Sequence, residues 1–319
     1  MERVAEYRPP KCGASVVPDA LEPLENKQFH PPKAPADLKT RPVCVPCETI
    51  IPPMKTSLVL FLLTAAVAFG QPAVKSRLEN SPRHLEWVKV KSGSREIACF
   101  IAYPEVKDKA PAVVVIHEIF GLSDWARSVT DQLAEHGCIA IAPDLLSGMA
   151  PGGGGTSEFG GRDAVTKAVM SLSPDQVTAD LNAVADYVAR LPACNGRVSV
   201  GGFCWGGSQA FRYATNNPHL RAAFVFYGTG PERPEDIARI NCPIYGFYGG
   251  NDARVSATVP GTTQLMQTAI KTYEPVSYEG AGHGFMRAGE ENNASPANQQ
   301  AMAEGWKRWL GLLARANGG

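Results

Sequence analysis

Residues 198–208 read Val-Ser-Val-Gly-Gly-Phe-Cys-Trp-Gly-Gly-Ser. A β-branched run leads into Gly202-Phe203-Cys204-Trp205-Gly206, in which glycines stand two residues before and two after a cysteine. This spacing predicts a buried strand, a strained turn that lifts the cysteine above the strand end, and a helix that follows at once. Glycine suits both positions because it lacks a side chain and lets neighbouring elements approach closely. Cys204 is therefore a candidate nucleophile, and an inert cysteine in a glycine-rich turn is the alternative.

The composition favours one large α/β domain with additional tails. The chain has 319 residues, of which 44% are hydrophobic, and it can bury a substantial core. Its 31 basic residues balance 31 acidic residues, so no global charge points to nucleic acid or to acidic partners. Eight cysteines in a chain of this length are too sparse for a disulfide scaffold.

Apolar runs in the middle of the chain predict a parallel sheet. Residues 111–116 and 138–142 are continuous apolar runs typical of strands buried on both faces, and residues 125–136 between them have helical spacing. A strand, a helix and a strand in this order imply a parallel βαβ unit. With an N-terminal hairpin and further buried strands at 222–227 and 243–248, the sequence predicts an α/β-hydrolase fold over residues 85–316, with helices on both faces of a mostly parallel central sheet.

The segment before this domain has a different character. Residues 1–53 are rich in proline, and we expect them to be disordered or to be a translated upstream extension. Residues 54–70 have the basic, apolar and small-residue regions of a secretory signal peptide, and residues 71–84 are interpreted as a linker. We expect export to the periplasm or the exterior from a start at Met54, and a cytoplasmic protein if synthesis starts at Met1 and this blocks export. A hydrophobic N-terminal anchor is the alternative.

Two loops after later strands complete a candidate catalytic triad. Asp252 ends the loop Tyr248-Gly249-Gly250-Asn251-Asp252, and His283 lies in a glycine loop after the last predicted strand. An acid so placed can orient a histidine ring, and the histidine can serve as base and then acid. The chain order Cys204, Asp252, His283 is typical of α/β-hydrolases. Considered singly, Asp252 could be a turn residue and His283 a loop histidine with no catalytic task.

The stretch His117-Glu118-Ile119-Phe120-Gly121 follows the first buried strand, where α/β-hydrolases place an oxyanion donor. We predict that the backbone N–H groups of Ile119 and Trp205 form the oxyanion hole. A zinc site at His117 and Glu118 is excluded because no second histidine follows four residues later. No metal and no organic cofactor are implied.

Residues 86–311 resemble the dienelactone hydrolase family, the carboxymethylenebutenolidases. The resemblance rests on five stretches, namely 117–121, 142–145, 202–207, 249–252 and 282–285. It implies hydrolysis of a small ester or lactone through Cys204, His283 and Asp252, with an acyl-thioester intermediate. It also implies that Glu118 holds the resting thiol neutral and later takes its proton.

The same resemblance implies that two arginines grip a substrate carboxylate. Arg287 matches one of them, four residues after the histidine, and Arg162 is the candidate for the other. The glycine-rich residues 147–161 before Arg162 are interpreted as a long loop, where lids and binding loops tend to lie.

Three other functions are compatible with parts of the sequence. One is a broad carboxylesterase or thioesterase with the same triad, and another is a non-catalytic binding protein of the same fold. The third is a thiol redox protein that uses Cys44 and Cys47. As partners we expect a small-molecule ester or lactone, no nucleic acid and no stable membrane span after signal cleavage. A monomer is compatible with the sequence.

Overall fold

The computed structural model describes residues 72–318, and in this part of the chain an eight-stranded sheet forms the centre of the molecule. Its strands are β1 (Leu85–Ser92), β2 (Arg95–Ala102), β3 (Ala110–Ile116), β4 (Ile139–Pro143), β5 (Cys194–Phe203), β6 (Ala223–Phe226), β7 (Ile244–Gly249) and β8 (Tyr273–Tyr278). They lie in the order β1-β2-β4-β3-β5-β6-β7-β8. β1 and β2 form an antiparallel hairpin, β2 pairs antiparallel with β4, and every later pairing is parallel.

Helices cover both faces of this sheet. In chain order they are α1 (Pro72–Glu79), α2 (Asp124–Glu135), α3 (Arg162–Met170), α4 (Pro174–Ala189), α5 (Trp205–Ala214), α6 (Pro234–Ala238), α7 (Ala253–Ser256), α8 (Val259–Thr268), α9 (Phe285–Ala288) and α10 (Pro296–Ala316). The predicted fold class, a mostly parallel sheet with helices on both faces, is confirmed.

The core has two layers because successive strand residues point to opposite faces of the sheet. On β3, Ala112 and Val114 belong to the cluster beneath α4 and α5, whereas Val113 and Val115 belong to the cluster beneath α2 and α10. All four side chains are fully or almost fully buried. This explains why the predicted strand had a continuous apolar run instead of an alternating one.

One helix lies in the segment interpreted as a linker, and another follows the predicted loop at residues to which the sequence assigned no element. In the segment interpreted as a linker, α1 packs on α2 and buries Val74. Directly after the glycine-rich loop, α3 buries only Val165 and Val169, which contact Leu146 and Trp205. Two apolar residues four positions apart are too few to reveal a helix beside a glycine-rich stretch.

The sequence after the pentapeptide predicts a helix over residues 208–215, whereas α5 begins earlier, at Trp205. Gly206 and Gly207 have low helix propensity, so the sequence of the first turn of α5 does not indicate a helix.

The predictions for the N-terminal region lie outside the described residues. They concern the proline-rich residues 1–53, the signal peptide at 54–70, and Cys44 and Cys47. Among the helices within residues 72–318, none combines the length and apolar character needed to cross a bilayer.

Candidate active site

The candidate nucleophile lies on a strained turn between β5 and α5. Cys204 has φ 56° and ψ −117°, a backbone conformation that residues other than glycine rarely adopt. Its N–H donates to the carbonyl oxygen of Phe226 on the neighbouring strand, at 3.0 Å, and this bond helps to fix the turn. The thiol is partly exposed, whereas the other four cysteines of residues 72–318 are buried and also unpaired. Such local strain at one residue is typical of functional sites.

The two glycines of the pentapeptide are required by close backbone contacts. A Cβ atom on Gly202 would overlap the carbonyl oxygen of Gly206, and a Cβ on Gly206 would overlap the carbonyl oxygen of His117. Because the overlapping atoms belong to the backbone, they cannot move aside as a flexible side chain could. The spacing quoted from the sequence is therefore a packing requirement of this turn.

Asp252 and His283 come together at the carboxyl end of the sheet. Asp252 follows β7 and His283 follows β8, and the Oδ2 atom of Asp252 lies 2.5 Å from Nδ1 of His283. The carboxylate is nearly buried, and its other oxygen accepts a hydrogen bond from the N–H of Val255 at 3.3 Å. Both carboxylate oxygens are thus engaged, which orients the imidazole ring.

The pKa of His283 is raised to about 9. The largest cause is its interaction with the Cys204 side chain, while burial lowers the pKa and the hydrogen bond with Asp252 raises it. A negative charge on sulfur favours the imidazolium form of the ring. The ring of His283 thus favours its protonated form beside the Cys204 side chain.

We expect this pKa to depend on Cys204. NMR titration of the His283 ring should give a pKa near 9 in the wild type and a lower value in Cys204→Ala, because the variant lacks the side chain that contributes most to the raised value. The folded state binds the proton more tightly than the unfolded chain, whose ordinary value is 6.5. This contribution to stability is therefore complete below about pH 6.5 and is lost as pH rises through about 9. Equal titration curves for the two proteins would contradict the interaction between His283 and Cys204.

The two N–H groups predicted to form the oxyanion hole have no hydrogen-bond acceptor in the described part of the chain. Trp205 is the first residue of α5, and the first N–H groups of a helix have no partner within that helix. Ile119 lies in a turn closed by a hydrogen bond from the N–H of Gly121 to the carbonyl of Glu118, at 3.2 Å. Within residues 72–318, neither N–H donates to another protein group. Both remain available to an oxyanion.

Glu118 pairs with Arg287 in this structure. Nε of Arg287 donates to Oε2 of Glu118 at 2.9 Å, and another guanidinium nitrogen lies 2.9 Å from Glu291. Burial raises the pKa of the Glu118 carboxyl, and the charge of Arg287 opposes this shift. The described residues show no hydrogen bond between Glu118 and the thiol of Cys204. The Cys204 side chain contributes instead to the raised pKa of His283.

Arg162 and Arg287 converge on one aromatic ring. The guanidinium carbon of Arg162 lies 3.7 Å from the centroid of the Phe120 ring, and that of Arg287 lies 5.4 Å from it. Arg162 also lowers the pKa of Glu118 by its charge, so both arginines act on the same carboxylate. Because Phe120 follows Ile119 directly, two positive charges adjoin the candidate oxyanion hole. The sequence predicted a role in substrate binding for both arginines and none for Phe120.

Tyr227 is a site residue that the sequence analysis missed. It follows β6 with φ 41°, it is completely buried, and its ring centroid lies 5.1 Å from that of His283. Burial raises the pKa of its phenol well above the ordinary value of 10. The signal that could have found it is its place at the carboxyl end of a predicted strand, the edge where Cys204, Asp252 and His283 also lie.

His117 is buried, and its ring contacts the backbone and a neighbouring aromatic side chain. Its Nδ1 lies 2.7 Å from the carbonyl oxygen of Glu118, and its ring stacks on Trp205. Burial lowers its pKa, which favours the neutral ring. No cluster of potential metal ligands occurs in the described part of the chain.

A separate polar cavity of about 390 Å³ borders α5. Its arginines, Arg212, Arg233 and Arg239, pair with Asp175 or Asp236. None of the predicted site residues lines it.

Comparison with known proteins identifies a family that this chain resembles over most of the described residues. Residues 97–317 match the model of the dienelactone hydrolase family. A protein of Salmonella typhimurium strain LT2 named "Putative carboxymethylenebutenolidase" is 33% identical over 242 residues, 72% of this chain and 86% of the relative. A protein of the same name from Escherichia coli K12 is 34% identical over 237 residues, 70% of this chain and 84% of the relative.

Solved structures of the same fold are also similar. The crystal structure of a "Putative Dienelactone Hydrolase" from Klebsiella pneumoniae aligns with a TM-score of 0.63 and 29% identity, covering 72% of this chain and 97% of that one. A dienelactone hydrolase-like promiscuous phosphotriesterase from metagenomic libraries aligns with a TM-score of 0.64 at 21% identity, covering 73% and 98%. The second likeness concerns the fold alone.

Proposed function

The chain belongs to the dienelactone hydrolase family of carboxylic ester hydrolases, and from this premise we propose that it cleaves a small ester or lactone with Cys204 as nucleophile. The observation that carries the proposal is the 2.5 Å contact between Asp252 and His283, with the ring of His283 interacting with Cys204 on its strained turn. A nucleophile, a base and an orienting acid in contact are the arrangement that acyl transfer requires.

Acylation begins once the Cys204 thiol has given up its proton beside the imidazolium of His283. The sulfur of Cys204 attacks the carbonyl carbon, and the carbonyl electron pair moves to oxygen to form a tetrahedral oxyanion. The N–H groups of Ile119 and Trp205 donate to this oxygen and stabilise its charge. The carbon–oxygen bond to the leaving group then breaks, and the imidazolium of His283 gives its proton to the departing alkoxide or enolate. The product of this half-reaction is a thioester on Cys204.

Deacylation uses the same groups in reverse. His283, now neutral and held by Asp252, accepts a proton from water, and the resulting hydroxide attacks the thioester carbon. The same two N–H groups stabilise the second oxyanion. The carbon–sulfur bond breaks, the acid product leaves, and the sulfur returns as a thiolate beside the imidazolium.

Glu118 is proposed to link substrate binding to the state of the thiol. A substrate carboxylate that binds Arg287 competes with Glu118 for the same guanidinium. Once Glu118 loses this partner, its buried carboxylate favours protonation more strongly, because burial already raises its pKa. Where the Cys204 thiol is protonated, Glu118 can then accept its proton. This is the role that family resemblance implies for Glu118.

The proposed substrate carries a carboxylate close to the scissile carbonyl. Arg162 and Arg287 both contact Phe120, which adjoins the candidate oxyanion donor Ile119. Hydrogen bonds from a guanidinium to a carboxylate are stronger than those between neutral groups. An anionic lactone such as a dienelactone therefore fits better than a neutral ester.

The proposed function is tested by hydrolysis of a dienelactone and of p-nitrophenyl acetate. We expect the wild type to cleave both esters and to have a higher kcat/KM for the dienelactone. Cleavage of p-nitrophenyl acetate alone would retain the triad and favour a broad carboxylesterase or thioesterase. Cleavage of neither would favour a binding protein of the same fold.

Replacing Arg162 with glutamine should affect the anionic substrate selectively. We expect KM for the dienelactone to rise about tenfold, the low end for loss of a charged hydrogen bond, because Arg162 is exposed. The values for p-nitrophenyl acetate should be unchanged. Arg162 is a cleaner target than Arg287, whose loss would leave Glu118 buried without its counter-charge.

The matched control is Lys167→Gln, which removes one positive charge from the same helix. It should leave both substrates unaffected. A parallel rise in KM for both substrates in Arg162→Gln would contradict a role in carboxylate binding.

We propose that the protein is exported and that it acts as a monomer. Export is supported by the basic, apolar and small-residue regions of residues 54–70. A monomer is the simplest state for this mechanism, because every proposed catalytic group belongs to one chain.

A further inference from the structure

We propose that Thr156 is a positioning residue, whose hydroxyl holds the oxyanion turn 118–121 in its active geometry by joining Asp144 to the backbone of Leu122. The inference rests on the proposed function, because it assumes that the N–H of Ile119 within this turn contacts the reacting oxygen.

Asp144 is the fixed end of this connection. It follows β4 directly and is nearly buried. Its carboxylate accepts hydrogen bonds from the N–H of Thr156 at 2.7 Å, from Oγ1 of Thr156 at 2.8 Å and from the N–H of Leu146 at 3.1 Å. A buried carboxylate with three donors is held firmly in place, since loss of any donor would leave a buried charge less well compensated.

The Thr156 hydroxyl is the connecting atom. It donates to Asp144 and accepts a hydrogen bond from the N–H of Leu122 at 3.1 Å. The contact with the oxyanion turn is close, because a Cβ atom on Gly121 would overlap Oγ1 of Thr156. A hydroxyl can donate and accept at the same time, which neither a methyl group nor an amide nitrogen can do in its place.

The turn is thus held at both ends. At its start, Nδ1 of His117 lies 2.7 Å from the carbonyl oxygen of Glu118, which also accepts the hydrogen bond that closes the turn. At its end, Leu122 is bonded to Thr156. Ile119 lies between these two points, so the direction of its N–H is set by them.

The same segment also carries Arg162. Thr156 begins a 3-10 turn, Thr156–Glu158, and α3 starts at Arg162, whose guanidinium lies over Phe120. Residues 156–162 therefore contact Phe120 within the oxyanion turn and Leu122 directly after it. The end of the glycine-rich loop and the start of α3 therefore contact residues beside both the proposed oxyanion hole and the proposed carboxylate site.

Two substitutions separate the hydroxyl from the side-chain shape. Thr156→Val keeps the shape and removes the hydroxyl, whereas Thr156→Ser keeps the hydroxyl. For p-nitrophenyl acetate we expect Thr156→Val to lower kcat by about 10²-fold with little change in KM, as a misplaced donor group would. Thr156→Ser should keep kcat near the wild-type value, because its hydroxyl can form both bonds.

Alkylation of Cys204 by iodoacetamide supplies a readout that does not use the oxyanion hole. Its rate should be the same in wild type, Thr156→Val and Thr156→Ser. Equal kcat in all three proteins would overturn the inference, and so would a parallel loss of kcat and alkylation in Thr156→Val, which would place the effect in the nucleophile or the fold. A wild type that cleaves no ester would overturn the proposed function itself, and with it this inference.

Discussion

Replacing Cys204 with alanine is expected to lower kcat/KM for p-nitrophenyl acetate by about 10⁶-fold, the scale seen when a triad nucleophile is removed. The thiol lies on the strained turn after β5, and it is the largest cause of the raised pKa of His283. Without sulfur no thioester can form, and the two oxyanion donors alone leave only weak catalysis of direct attack by water.

Trapping the acetyl thioester tests whether Cys204 is the nucleophile without a measurement of rate. Rapid quenching with p-nitrophenyl acetate should add the mass of one acetyl group to the wild type and none to Cys204→Ala. The matched control is Cys138→Ala, which removes a buried thiol from the core beneath α2 and should retain both activity and acetylation. An alanine variant at position 204 with wild-type activity would show that another group is the nucleophile.

Replacing Asp252 with asparagine should lower kcat by about 10⁴-fold while leaving the fold intact, as for the corresponding change in other triads. The amide group would donate to Nδ1 of His283, where the carboxylate now accepts at 2.5 Å. The ring would then carry its proton on the nitrogen facing Cys204 and could not accept one from water. The remaining oxygen of asparagine can still accept from the N–H of Val255, so α7 keeps its cap.

The control for this variant is Asp163→Asn, which makes the same chemical change at an exposed position on α3. It should have wild-type kcat and KM. Measurement of kcat and of thermal unfolding for both variants separates a catalytic loss from a loss of stability. An Asp252→Asn enzyme within about tenfold of the wild type would contradict the orienting role, since a positioned base alone contributes about 10²- to 10⁴-fold.

Much of the sheet was predictable because its signals are local. The continuous apolar run of β3 reflects burial on both faces, and the hairpin of β1 and β2 is marked by Ser92-Gly93-Ser94. The glycine spacing around Cys204 reflects backbone contacts within one strand–turn–helix unit. By contrast, α1 and α3 bury one or two apolar side chains each, too few to produce a periodic pattern.

The sequence alone determined the fold class, the order Cys204, Asp252, His283 and the strand ends on which these residues lie. Only the tertiary structure decided which groups meet between loops: Arg287 with Glu118, Arg162 with Phe120, and Thr156 with Leu122. Arg287 and Glu118 are 169 positions apart, and no local period or turn signal encodes such a pairing. It arises because parallel strands bring their carboxyl ends to one edge, where the loops then pack against one another.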